Sequence, residues 1–404
     1  MVESDPNESD ANAALRLAAA VRPHWTRVVP AGVALGLESH TLLHAGPPFE
    51  VGEAPSTPIL NAAALCCVHE GWAVDLPAAK ALIEAGGVRL QPAQDRGAVT
   101  PLAAVISPRA ALVEVQDAAQ PARRCWSLLP SGPGPDLRFG AGDVAILPRL
   151  AYRDERLARL VAAALPEPID LDAIATAGLE AQDDLHGSTS GATRALAGVM
   201  LALLAEDVAA ADELRGVLDA SPLFFLPLWM AACRLVAAAV EAVPGSPWVT
   251  RCAGNGRRIG ITLAGAPGRW ITAPAEAPAG PRMARIDASV RTCGVIGDSA
   301  IIDASGFGGA ALAHAEPTRQ ALGAYAPPEA DAIAAVVLAR PHPRFQRFGL
   351  RIGLDAAAVN AAGIAPVVVI GMIDAAGEQG LLGRGVYRPP LALFEAAVSA
   401  LPSA

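Results

Sequence analysis

From Asp154 to Val243 the chain carries helical spacing almost without interruption, while the segments on either side mix short helices with short strands. Leu157, Leu160, Val161 and Leu165 recur at steps of three and four, which gathers them on one face of a helix. Asp170 stands where its carboxylate can cap the next helix. Further helices are expected over Ser190 to Ala205, Asp207 to Leu218 and Pro222 to Val243, the last kinked at Pro227. Pro244-Gly-Ser-Pro247 then reads as a linker.

A chain of 404 residues exceeds what one hydrophobic core usually serves, so two or three domains are expected. The fold class is α+β, with two mixed domains and a mainly helical domain between them. Residues 1–150 form the first mixed domain, 151–245 the helical one and 246–404 the second mixed domain. In the first, helices are expected at Ala11 to Val21, Pro58 to Trp72 and Leu76 to Gly86, and Ala111 to Val115 with Cys125 to Leu129 form a hairpin. In the third, Asn255-Gly256 lies between two strand-like runs and marks a tight hairpin. A helix over Pro328 to Arg340 and a strand over Pro366 to Ile370 follow.

Hydrophobic residues make up 52% of the chain but aromatics only 4%, so its cores are built largely from alanine and other small side chains. Such cores favour close helix contacts and large subunit interfaces, and assembly with further copies of the chain is an expectation. The net charge of −9, with no basic run longer than an arginine pair, argues against nucleic acid as a partner. The first ten residues are acidic and polar, unlike a secretory signal, and read as a frayed tail. Apolar runs at Leu196 to Ala205 and Leu223 to Cys233 are too short to span a bilayer, so no membrane role is expected. The six cysteines form no C-x-x-C pair, which indicates reduced thiols in the cytoplasm and neither a disulfide framework nor a metal site.

The stretch from Ile296 to Gly309 places Asp298, Ser299, Asp303 and Ser305 in an apolar, glycine-rich run. A carboxylate there must be hydrogen-bonded or shifted in pKa, and Gly297, Gly308 and Gly309 permit close backbone approach to a ligand, with the Gly308-Gly309 amides suited to an anion. A tightly turned packing loop is the other reading. His44, before Gly46-Pro-Pro48, is either an oriented acid or base or a turn histidine bonded to a carbonyl. Arg138, beside Phe139-Gly140, suits a carboxylate or phosphate, or else a surface ion pair. Asp183 and His186 would share a face on one helical turn as an acid and base pair or half a metal site, although capping on a solvated loop serves Asp183 or Asp184 equally well. Asn255 is explained by its turn or by a place at the rim of a site. No phosphate-loop, dinucleotide, nucleophile-elbow or H-E-x-x-H motif occurs, and no cofactor is expected.

Taken in order, His44-Ala-Gly-Pro-Pro, Val105-Ile-Ser-Pro108, Leu137-Arg-Phe-Gly-Ala141, the Asp183/His186 junction, Ser221-Pro-Leu-Phe-Phe-Leu226, Asn255-Gly, Ile296-Gly-Asp-Ser-Ala with Gly306-Phe-Gly-Gly309, and Pro389-Pro390 resemble the landmarks of the oxamate carbamoyltransferase subunits of the AllG (YlbE) type, over roughly residues 11 to 400. The resemblance implies a bacterial transferase of purine catabolism and nitrogen metabolism. It implies phosphorolysis of oxalurate to oxamate and carbamoyl phosphate, with an FdrA-type subunit and a third small subunit as partners. The ligands implied are a small anionic substrate and phosphate. His44, Asp183, His186, Asp298 and Ser299 are then the catalytic candidates, and Arg138, Asn255, Gly297, Gly308 and Gly309 the substrate-binding ones. The chain departs from the family pattern at Pro130-Ser-Gly132, at Gly187-Ser188 after His186 and at Ile373-Asp374-Ala375, where cationic or acidic residues are otherwise found. Two alternatives therefore stand beside a catalytic subunit: related acyl transfer on another substrate, or a structural partner without chemistry of its own.

Overall fold

The computed structural model describes residues 6–204 and 206–402, and it is an α+β fold. A five-stranded sheet runs in the order Ala98–Val99, Gln120–Leu128, Ala111–Asp117, Pro23–Pro30, Ile169–Asp170. Its Ala111–Asp117 and Gln120–Leu128 strands form the anticipated hairpin, slightly longer than its apolar run. A four-stranded antiparallel sheet follows the order Ala266–Pro274, Arg258–Leu263, Val249–Asn255, Ile296–Gly297. Three two-stranded pairs complete the set, of which Val368–Ile373 with Leu381–Tyr387 matters most for the site.

The helix Leu226–Val240 lies at the centre and is buried on nearly every side. A helix apolar all round belongs inside a protein, and this one packs against strands of both larger sheets and against the helix Pro6–Ala20. Its five alanines among fifteen residues let those neighbours approach closely. Its one charged residue, Arg234, is 3% exposed and bonds Glu241 at 2.8 Å, as a buried charge requires. Trp229 stands edge-on to Phe307, their centroids 5.0 Å apart. Through such contacts one apolar cluster runs from Ala14 to Ala397 and draws on all three segments of the chain.

Asp170 caps its helix as expected, its Oδ1 accepting from the Asp172 amide at 2.9 Å, and Asp207, expected inside the next helix, caps it instead, its Oδ1 accepting from Ala210 at 3.0 Å. Pro227 does not kink its helix. It sits in the first turn, where its absent N–H has no intrahelical partner to lose. The expected helix over Pro328 to Arg340 is shorter, Ala330–Val337, because Arg340 precedes Pro341 and is driven out of helical geometry into the strand Leu338–Pro341. Residues 6–10, expected to fray, belong to the first helix, while residues 1–5 and Ala205 lie outside those described. All six cysteines are free and buried. Among the described residues no helix is long and apolar enough to cross a membrane.

Candidate active site

A cavity of about 250 Å³ opens between the segments, lined by Pro101 and Leu102, Arg138 and Phe139, His186 and Gly187, the start of the central helix, Ser299, and residues of the Val368–Ile373 and Leu381–Tyr387 strands. Its polar groups are few. His186, Arg138, Arg384 and Ser299 face it from an otherwise apolar wall, the composition expected of a small-molecule site.

His186 is presented by a loop and not by a helical turn. Gln182 and Leu185 adopt φ of 63° and 64°, which turns Asp183 and His186 in different directions instead of stacking them on one face. Asp183 accepts from the Ser188 hydroxyl at 2.8 Å and the Ala192 amide at 2.9 Å, securing the start of the Ser190–Leu203 helix. Asp184 accepts from the amides of Gly187 at 2.7 Å and Ser188 at 2.6 Å and from the Thr318 hydroxyl at 2.9 Å. The two aspartates thus clamp the loop, and His186 is free to reach across to Asp303.

The His186 Nδ1 to Asp303 Oδ2 distance is 2.7 Å, with both side chains nearly sealed from solvent. Facing a carboxylate, Nδ1 carries the proton, which leaves Nε2 without a protein partner among the described residues. The other oxygen of Asp303 accepts from the amides of Gly309 at 2.7 Å and Val369 at 3.1 Å. Burial pushes the Asp303 pKa up, and His186 and the two amides pull it back. The arrangement is an oriented imidazole, held in one tautomer by a fixed carboxylate.

Arg384 lies in the strand Leu381–Tyr387 between two glycines. Among the described residues its guanidinium has no carboxylate within ion-pair distance. Burial lowers its pKa while the more distant Asp184 holds it up, and a guanidinium stays charged regardless. A mostly buried cation without a counterion calls for an anion. Arg138 adds a second cation, 3.4 Å from Asp136 and stacked 4.8 Å over the Phe139 ring. Ser299 lies at the start of the short helix Ala300–Ala304, its hydroxyl unclaimed among the described residues.

Arg138, His186 and Ser299 are the sequence candidates that line the cavity. Asp298 lies behind the wall, fully buried, and ties distant segments together. It accepts from the Gly46 amide at 2.9 Å, Gln94 Nε2 at 3.1 Å, the Thr100 amide at 2.8 Å and the Thr100 hydroxyl at 3.4 Å. Those bonds fix the Thr100-Pro101-Leu102 turn against the cavity. Gly297, at φ 122°, lets that turn approach, since a β-carbon there would fall 2.9 Å from the Leu102 amide nitrogen. Asn255 caps its own hairpin, accepting from the amides of Arg257 and Arg258 and donating to the Pro47 carbonyl. His44 is sealed against Phe49, bonds the Ala45 carbonyl at 2.8 Å and is pulled down to about 4 by burial. The Gly308 and Gly309 amides donate to the Asp184 carbonyl and to Asp303, so they hold the dyad and do not point to a ligand. A β-carbon at Gly308 would collide with the Asp303 carboxylate.

Asp303 and Arg384 complete the site: sequence marks Asp303 as a carboxylate its apolar run must satisfy without giving it a catalytic role, and it passes over Arg384. A signal for Arg384 exists: an arginine flanked by glycines in an apolar strand, Leu381-Leu-Gly-Arg-Gly-Val.

Burial raises the Asp298 pKa to about 6 in spite of its donors, above the ~3.9 of an unfolded aspartate. A folded pKa above the unfolded one means that the folded chain takes up the proton first. The resulting stability is fully present below pH ~4 and is lost as pH rises through about 6. Asp298→Asn cannot titrate, so the stability advantage of the native chain over this variant should widen by up to ~3 kcal/mol between pH 7 and pH 4. Urea unfolding of both proteins at the two pH values measures it, and a constant gap would remove the raised pKa from the account.

Three comparisons bear on this geometry. The sequence model of the family described as oxamate carbamoyltransferase subunit AllG matches residues 88–299, a span that contains Arg138, His186 and Ser299. The chain is 32% identical over 397 residues to the oxamate carbamoyltransferase subunit AllG of Escherichia coli (strain K12), covering 94% of each. It is 26% identical to YahG, an uncharacterised protein of the same organism, over 98% of this chain and 89% of that one. A crystal structure of a conserved protein of unknown function from Enterococcus faecalis V583 superposes with a TM-score of 0.91 at 25% identity, covering 98% of this chain and 97% of that one. With a family match over more than half its length and a relative at 32% identity along nearly all of it, this chain belongs to the family of oxamate carbamoyltransferase subunits AllG.

Proposed function

We propose that this chain supplies the chemical centre of a multi-subunit carbamoyltransferase that phosphorolyses oxalurate or a similar ureido acid. The observation that carries the reading is the His186–Asp303 dyad at 2.7 Å, opening on a cavity with Arg384, which has no ion-pair partner among the described residues. A phosphate oxygen attacks the carbamoyl carbon, the carbon–nitrogen bond of the ureido group breaks, and carbamoyl phosphate leaves with the amide as second product. His186 Nε2 takes the proton from the attacking hydrogen phosphate and returns it to the departing nitrogen, so it ends unchanged. Arg138 and Arg384 hold the phosphate and the carboxylate, whose negative charges would otherwise repel each other. Ser299 offers a hydroxyl to the developing oxyanion, and Asp303 stabilises the imidazolium that forms.

Family membership supports partner subunits, and an FdrA-type chain with a third small subunit in the cytoplasm is the assembly we propose. The alternative is a structural subunit without chemistry, suggested by the departures at Pro130-Ser-Gly132 and Gly187-Ser188. Coexpression with the neighbouring genes, followed by an assay for phosphate-dependent release of carbamoyl phosphate from oxalurate, separates the two. Arg384→Ala should raise KM for phosphate or the ureido acid and lower kcat/KM by about 100-fold or more, the scale expected when one charge-assisted bond to an anion is removed. An assembled complex in which Arg384→Ala turns over like the native enzyme would leave the structural reading standing.

A further inference from the structure

A second opening, of about 340 Å³, shares no lining residue with the cavity at His186. The helix Thr57–His69 gives it Thr57 and Asn61, the helix Leu76–Glu84 gives Lys80, and two loops give Gly142, Asp143 and Glu378. Asn61 is 3% exposed, and both hydrogens of its amide are engaged, Nδ2 donating to the Gly140 carbonyl at 3.0 Å and the Gly377 carbonyl at 3.1 Å. Those two bonds settle which end of the amide is nitrogen. Oδ1 is then a buried acceptor without a donor among the described residues, and an unmet buried acceptor costs about 1–3 kcal/mol. Gly142 keeps this amide open to the cleft, because a β-carbon there would stand 3.5 Å from Oδ1 and screen it.

The charges around Asn61 are unmatched too. Lys80 makes no ion pair among the described residues, although two carboxylates line the same cleft. Asp143 Oδ1 accepts from the Ala145 amide at 2.9 Å, and the Glu378 carboxylate bonds nothing among the described residues. The cleft thus combines one ammonium with an excess of oxygen acceptors. A simple anion would face two like charges there, and a metal ion would face the ammonium. A zwitterion suits both sets, since an ammonium group carries three N–H donors and a carboxylate answers Lys80.

We infer that this cleft binds a free α-amino acid, with its ammonium on Asn61 Oδ1, Asp143 and Glu378 and its carboxylate on Lys80. Gly142 lies just after Arg138 in the chain and Glu378 just before Arg384, and the two loops are joined by the Gly142 amide, which donates to the Gly377 carbonyl at 3.1 Å. The ligand therefore braces both segments that carry arginines to the cavity at His186.

Lys80 is the only lysine of the chain, so lysine labelled with carbon-13 at Cε gives one side-chain resonance, which reports on this cleft alone. Titration of the full-length chain with glycine should move that resonance to saturation. Its midpoint should lie about tenfold or more below those of methylammonium and acetate, each of which offers only one of the two charged groups. Asp143→Asn together with Glu378→Gln should raise the glycine midpoint by about tenfold and leave that of acetate no higher, with unchanged melting curves showing an intact fold. Arg384→Ala should leave the glycine midpoint where it is. A resonance that glycine does not move overturns the assignment, as does a glycine midpoint equal to that of acetate or indifferent to the double variant. The transfer reading stands or falls separately, on the turnover of the Arg384→Ala complex.

Discussion

His186→Ala lowers carbamoyl transfer by the assembled complex by about 10²–10⁴-fold, the range of one positioned acid and base. The loss falls on kcat, with KM for the ureido acid nearly unchanged, because the imidazole moves protons and Arg138 and Arg384 hold charge. Stability should fall by about 1–3 kcal/mol, because the buried Asp303 Oδ2 loses its donor, while the loop that carried His186 stays fastened by Asp183 and Asp184. Asp303→Asn should lose activity as well, because an amide in place of the carboxylate no longer fixes the proton on Nδ1. Steady-state kinetics on complexes of verified composition decide the matter. A His186→Ala enzyme within tenfold of the native rate removes the dyad from the mechanism.

Asp303→Ala costs about 3–5 kcal/mol of folding stability, the largest structural effect expected of a single site near the cavity. Three groups lose their acceptor together: His186 Nδ1, the Gly309 amide and the Val369 amide. Each lies where water does not replace it readily, and an unmet buried donor costs about 1–3 kcal/mol. Asp303→Asn retains one acceptor oxygen and should lose roughly half as much. Denaturant unfolding with the slope held constant reads the difference. An Asp303→Ala chain as stable as the native one would mean that the Gly308-Gly309 turn stands without this carboxylate.

The contrast between these two variants shows what is legible in the amino-acid sequence. Local signals are plain where the partner is near in the chain: Asp170 and Asp207 cap helices that begin one residue later, and Asn255 closes a turn of which it is part. Arg138, His186 and Ser299 stand out as chemical groups out of place in their surroundings, and all three line the cavity. The pairing of His186 with Asp303 spans 117 positions, and no spacing rule reports such a contact. Asp298 is conspicuous as a carboxylate in an apolar run. Only the fold shows that its partners are Gly46, Gln94 and Thr100, which answer its burial with donors and turn it to bracing. The glycines beside it are places of close approach, but it is protein that packs against them, from Leu102, Asp303 and Val367.

Because the cavity takes walls from Pro101 through Arg384, it has no existence in a partly synthesised chain. The sheet Ala111–Asp117 with Gln120–Leu128 can pair as soon as it leaves the ribosome, but Arg384 arrives near the end of translation. A nascent chain stalled before the strand Leu381–Tyr387 already holds His186, Asp303 and the Gly309 and Val369 amides that support the carboxylate, and lacks Arg384. A product truncated there therefore carries the dyad while the cavity lacks one of its arginines and one of its two strands.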